Sequence, residues 1–202
     1  MNLRIVACLL AGVFAARVAV ADDKEKPGKK AGKEPDMAAM QAAWEKAGTP
    51  GDQHKVLKKM VGKWTVSMKS WMDPKQPPME SKGTAEAKPI LGDRFVQMSF
   101  NSTFMDKPFS GIATNGYDNV KKKYVGTWID SMSTGIMRSE GTADANGNMT
   151  AEGVAADPMT GKESKMKIVG TWQGDDKLVE EFFEKKGGKE QKTMEITYTR
   201  AK

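Results

Sequence analysis

The sequence predicts an all-β protein: an antiparallel up-and-down barrel of about ten strands, preceded by one or two short helices. Three observations carry this. From Lys63 onward, short runs rich in Thr, Val, Ile, Phe, Tyr and Trp alternate with turn signals. Nine such turns divide the segment, and no long helical pattern interrupts them, which leaves hairpin connections and an antiparallel sheet. Strands this numerous and this evenly spaced belong to a sandwich or a closed barrel.

The chain opens with a basic tip, Met1–Arg4, and an apolar run of twelve residues, Ile5–Ala16. Ala19-Val20-Ala21 follows as an A-x-A cleavage signal, and Asp22-Asp23 come directly after it. This order predicts a secretory signal peptide over 1–21 and an exported protein, periplasmic or extracellular. Arg17 interrupts a run already shorter than the roughly 20 apolar residues a span needs, so no membrane span is expected after cleavage. Cleavage removes Arg4 and Arg17, lowering the net charge from +6 to +4, and removes Cys8, the only cysteine. The mature chain must then hold its core without disulfides, and thiol catalysis, Cys-ligated zinc and iron–sulfur clusters are excluded from it.

Asp22–Asp36 (DDKEKPGKKAGKEPD) has no side chains able to form a core and is expected to be a disordered tether. Met37–Ala47 is Ala-rich without a breaker and predicts a helix, which the turn residues 48–51 end; helix and turn together occupy 37–50. The barrel domain is assigned to 51–202. Asp52 is expected to cap a short helix at its start, with His54, Leu57 and Val61 on one face. The turns that follow are Asp73-Pro74 to Pro77-Pro78, Leu91-Gly92-Asp93, Met105-Asp106-Lys107, Asp118-Asn119, Ser131–Thr134, Asn146-Gly147, Asp157-Pro158 to Gly161, Gly174-Asp175-Asp176 and Gly187-Gly188. Asn146-Gly147 is the preferred pair for a two-residue hairpin loop.

One tetrapeptide pattern occurs three times: Val61-Gly62-Lys63-Trp64, Val125-Gly126-Thr127-Trp128 and Val169-Gly170-Thr171-Trp172. The unequal spacing rules out a solenoid or propeller. Glycine in a strand admits a close neighbour, and the Trp two residues on shares its face and can fill that space. In the last strand Met194, Ile196, Tyr198 and Arg200 share one face, while Thr193, Glu195, Thr197 and Thr199 share the other. The first face is expected to line the barrel.

A short helix followed by Gly62-Lys63-Trp64 at the first strand resembles the opening of calycin barrels, the lipocalins, fatty-acid-binding proteins and avidins. The stretch GYDNVKKKYVGTWIDSMSTGIMRSEG (116–141), with LGDRFVQMSF (91–100) and the ending MEITYTR (194–200), looks like a bacterial family of exported proteins, domain of unknown function 1579. The match covers roughly residues 50–202. The resemblance implies a calycin-like barrel and no particular activity. Fatty-acid-binding proteins hold a ligand carboxylate with an Arg and a Tyr two residues apart near the C-terminus; here the order is Tyr198-x-Arg200, the reverse. Haem barrels of similar strand number need an axial His on a late strand, whereas His54 is the sole His and precedes the first strand.

The inventory argues against an enzyme. Any His-dependent triad would have to use His54, no G-x-S-x-G elbow exists, and His clusters for metal are excluded by number. Acids such as Asp130, Glu140, Glu152, Glu180 and Glu181 are expected at the solvated surface. Positive charge is mostly Lys interleaved with acids, which excludes a nucleic-acid stripe. Fourteen Met in the mature chain suit an adaptable apolar wall, or less readily a thioether site for Cu(I); Met68 and Met72 are placed on one strand face, and Met132 and Met137 beside a turn. The reading is an exported barrel that binds a small, largely apolar or amphipathic molecule, with no cofactor and no metal. The candidate ligand contacts are Trp64, Met68, Trp128, Arg138, Tyr198 and Arg200, with His54 either a partly buried packing residue on its helix or a polar group at a barrel mouth. Arg200 has two readings: with Tyr198 it grips an anionic group of the ligand, or it pairs with an acid at the barrel end. The alternative for the whole molecule is a filled barrel acting as an interaction or structural module.

Overall fold

The computed structural model describes residues 36–202. The predicted leader and the tether as far as Pro35 lie outside the described residues. Asp36, assigned to the tether, instead caps the first helix: its carboxylate accepts from the amides of Ala38 and Ala39.

Helix α1 (Met37–Gly48) and helix α2 (Asp52–Lys58) precede ten strands. These are β1 (Gly62–Ser70), β2 (Met79–Ile90), β3 (Phe95–Phe104), β4 (Lys107–Asp118), β5 (Lys123–Asp130), β6 (Met137–Ala143), β7 (Met149–Ala156), β8 (Glu163–Trp172), β9 (Lys177–Lys186) and β10 (Lys189–Arg200). Each strand pairs antiparallel with its sequence neighbour, and β1 closes on β10 in a register running from Trp64 opposite Arg200 to Ser70 opposite Met194. Closure leaves no unpaired edge.

Period-two alternation sets inside from outside. On β1, Trp64, Val66 and Met68 are buried, while Lys63, Thr65 and Ser67 are exposed. The outer wall carries ion pairs such as Lys165–Glu152 and Lys167–Glu190, the opposite of a lipid-facing barrel. No helix among the described residues is long and apolar enough to cross a membrane.

One barrel end is closed. α2 lies across it with His54 and Leu57 buried, and Tyr124 donates its hydroxyl to the Gln53 carbonyl at 3.2 Å. The helix cap differs from expectation. Gly51 is the N-cap, and Asp52, one position inside, pairs with Lys55. α1 buries no residue. Its C-terminal end is held by side chains from the turns of the closed end: Asn119 Nδ2 donates to the carbonyls of Ala47 (2.9 Å) and Thr49 (2.8 Å), and Arg94 Nε to that of Gly48 (2.8 Å).

All nine expected turns connect strands, but their chemistry is redistributed. Asn146-Gly147 does not form a two-residue loop, because the Asp144 amide bonds the Asn148 carbonyl and closes a longer one. The Asp144 carboxylate organises it by accepting from the amides of Asn146 and Asn148. Two-residue loops fall at Met105-Asp106 (φ 49° and 61°), where Phe104 pairs with Lys107, and at Gly187-Gly188 (φ 59° and 79°), where Lys186 pairs with Lys189.

Candidate functional site

The barrel interior has two unlike walls. Along β1, β2 and β3 the inward side chains of Trp64, Val66, Met68, Ala85, Ala87, Val96, Met98 and Phe100 are all buried. On β7 to β10, which complete the circle, inward-facing Met149, Met166, Ile168, Glu180 and Met194 remain partly accessible, while Leu178, Phe182, Ile196 and Tyr198 are buried. These inward side chains mark the less completely filled side of the interior. Two hollows on the outside, one beside loop 131–136 and one over the charged faces of β6 to β9, are lined mostly by outward residues.

The floor of the lumen is built around Arg200. Trp64 is 2% exposed, and its indole N–H donates to the Met60 carbonyl at 2.8 Å. The Arg200 guanidinium stacks on that ring, 4.2 Å from its centre. Its donors go to Asp176 Oδ1 (Nε, 3.1 Å), to the Val61 carbonyl (Nη1, 2.9 Å), and to the carbonyls of Lys59 and Asp175 (Nη2, both 3.0 Å). One side chain thus joins the end of α2, the start of β1 and the β8–β9 turn. Of the two readings of Arg200, the structure supports the pairing at the barrel end: four donor contacts are already made within the protein. Gly62 fits this lock, since a Cβ there would come within 2.8 Å of Nη1, and its φ of 132° is one few other residues adopt. Trp172, from the third tetrapeptide, packs against Trp64 with ring centres 6.1 Å apart.

Of the two readings of His54, the structure has the packing residue on its helix: it is buried on α2 at the floor. Its Nδ1 accepts from the Gly51 amide at 3.0 Å, and its ring meets the edge of Tyr117. Trp128 lies toward the other end, where its ring contacts Phe100 and stacks on Phe109, and its N–H donates to Asp130 at 2.8 Å. Room for that ring comes from Gly111 on the neighbouring strand and not from Gly126 two residues earlier: a Cβ on Gly111 would lie 2.2 Å from the indole. Arg138 does not line the lumen. On β6 the inward residues are Met137, Ser139 and Gly141, so Arg138 projects outward, where its side chain is 74% exposed near Glu163.

Tyr198 does point inward and is buried, but its partner is not Arg200. Its hydroxyl lies near the carboxyl of Glu180, one strand away on β9. Glu180 points inward and is half-buried among the side chains of β8, β9 and β10. Burial raises its carboxyl above the usual range, partly offset by the Tyr198 hydrogen bond. Burial, and then the adjacent Glu180, pushes the Tyr198 phenol well above the ordinary tyrosine value. The expectation that Glu180 is a solvated surface acid is therefore corrected. On β9, Val179 and Phe183 outside mirror Leu178 and Phe182 inside, so alternation along LVEEFF does not tell which face is internal.

The end opposite the floor is rimmed with exposed methionine. Met72 and Met79 flank the β1–β2 loop, Met105 sits in the β3–β4 turn, Met132 and Ile136 in the β5–β6 loop and Met159 in the β7–β8 loop. Met72 is thus a rim residue beyond the end of β1, apart from luminal Met68.

Comparison with solved structures places this architecture among small barrels. The S-type phycobiliprotein lyase from Guillardia theta is 11% identical over 76% of this chain and 99% of its own, with a TM-score of 0.50. A de novo designed fluorescence-activating β-barrel is 14% identical over 72% of this chain and 97% of its own, with a TM-score of 0.42. No curated protein sequence matches the chain. The profile of the family described as protein of unknown function, DUF1579, matches residues 49–200, from the turn before α2 to the floor arginine, and the chain belongs to that family.

Proposed function

We propose that the barrel is an exported, non-enzymatic binding protein for a small, largely apolar molecule held in the lumen. The observation that carries this is the difference between the walls: Trp64 to Phe100 on β1 to β3 are packed, whereas on β7 to β10 inward Met149, Met166, Ile168, Glu180 and Met194 stay partly accessible among buried Leu178, Phe182, Ile196 and Tyr198. A barrel whose only role was to fill itself would bury both walls alike. Methionine suits such a wall because its unbranched thioether adapts to different apolar shapes. The polar contact assigned to the ligand moves from Arg200, whose donors are engaged, to Glu180 and Tyr198. The methionine rim at the open end supplies an apolar mouth. Export rests on the A-x-A leader pattern.

Native mass spectrometry of protein purified from its own host tests the reading. A copurified small molecule released on unfolding is expected. Protein at its bare sequence mass after gentle purification, together with no uptake of apolar reporters, would leave the filled-barrel alternative standing.

A further inference from the structure

The protein is basic overall, yet its lumen is acidic. The inward positions of the ten strands carry Asp130, Glu180 and Glu184. Between the floor arginine and the strand ends at the mouth, they carry no Lys, Arg or His. Asp130 is engaged by the Trp128 indole and the Met132 amide, and Glu184 lies 3.7 Å from Lys186 at the mouth. Glu180 is the deep one. It sits one inward position above Leu178, opposite Ile196 on β10 and Gly170 on β8. Gly170 has no side chain, and a Cβ built there would make only ordinary contacts, with Leu178 (3.7 Å), Met149 (3.8 Å) and Glu180 Cγ (3.9 Å), so the neighbouring strand leaves about a methyl group's room beside the Glu180 side chain. Among the described residues no ion pair includes Glu180, and its polar neighbour is the Tyr198 phenol.

A carboxyl enclosed without a counter-charge costs free energy that a cation placed beside it recovers. An acidic lumen with low-dielectric walls also concentrates positive charge and repels anions. We propose that the ligand is an apolar molecule bearing a basic amine, with its ammonium on Glu180 and its body against Met149, Met166, Ile168 and Met194. This rests on the luminal-binding reading above and reverses the charge expected of a ligand held by Arg200.

Calorimetric titration of the folded protein with decylamine, decanol and decanoate tests it. Decylamine is expected to bind roughly tenfold or more tighter than decanol, about 1.4 kcal/mol, with decanoate weakest. Glu180→Gln keeps the shape and removes the charge, so it should lose the amine preference while keeping decanol affinity. Tyr198→Phe should keep the preference, since the acid remains. Decanol binding without an amine preference, or a preference that survives Glu180→Gln, overturns the amine proposal alone. Failure of all three to bind overturns the luminal reading and the proposal with it.

Discussion

Glu180 and Arg200 are both charged residues on inward faces, and opposite physics keeps each in place. Arg200 is compensated: its charge meets Asp176 and an indole face, and its N–H groups meet backbone carbonyls. Replacing it by Met keeps volume but leaves those carbonyls without a donor. Arg200→Met should therefore lower unfolding free energy by about 2–3 kcal/mol even without ligand; denaturant unfolding measures this, and an unchanged midpoint would contradict a structural lock. Glu180 is uncompensated, with its carboxyl raised by burial. The native state holds that proton at pH values where the unfolded chain has released it. Its stability contribution is thus fullest below the ordinary glutamate value and is lost as pH rises through the raised one. Unfolding free energies of wild type and Glu180→Gln across pH 4 to 8 should diverge accordingly, the variant becoming relatively more stable as pH rises. Parallel curves would show that Glu180 is not desolvated.

At the scale of elements, the three tetrapeptides meet different fates. Trp64 and Trp172 converge on the floor, while Trp128 belongs to a separate aromatic cluster with Phe100 and Phe109. Trp64→Ala should cost roughly 3–5 kcal/mol, as loss of a large buried ring does. Gly111→Ala should also destabilise, because the ring it meets is fixed by a hydrogen bond to Asp130 and cannot simply withdraw; thermal unfolding of both variants checks the pair. The rim contrasts with both. Met72, Met105, Met132 and Met159 are exposed, so replacing all four by Gln should leave stability nearly unchanged, within about 0.5 kcal/mol per site. A large loss would mean that the loops pack on one another.

Across the whole molecule, strand number, hairpin order and the inward face of β10 were legible in the sequence because alternation and turn residues are local signals. Tyr198 and Ile196 are buried on the face that includes Met194, as the polar Thr193, Glu195, Thr197 and Thr199 indicate. The site was less legible. The register in which β10 closes on β1 is a long-range fact, and it carries Arg200 onto Trp64 and into contacts within the protein. Glu180 is masked by apolar residues on both faces of β9, and the outward position of Arg138 depends on the parity of β6, which its pairing with β5 sets and its local sequence does not. The hairpin at Asn146-Gly147 shows the same limit, since Asp144, two residues earlier, dictates the loop.

Methionine methyl NMR reads the unlike walls directly, because methionines sit in each environment. Titration with decanol should shift the methyl resonances of luminal Met149, Met166 and Met194, with smaller changes at the mouth, and leave Met37 and Met40 on α1 unmoved. Shifts confined to exposed methionines, or none at all at saturating decanol, would show that the interior admits no ligand and that the barrel is filled.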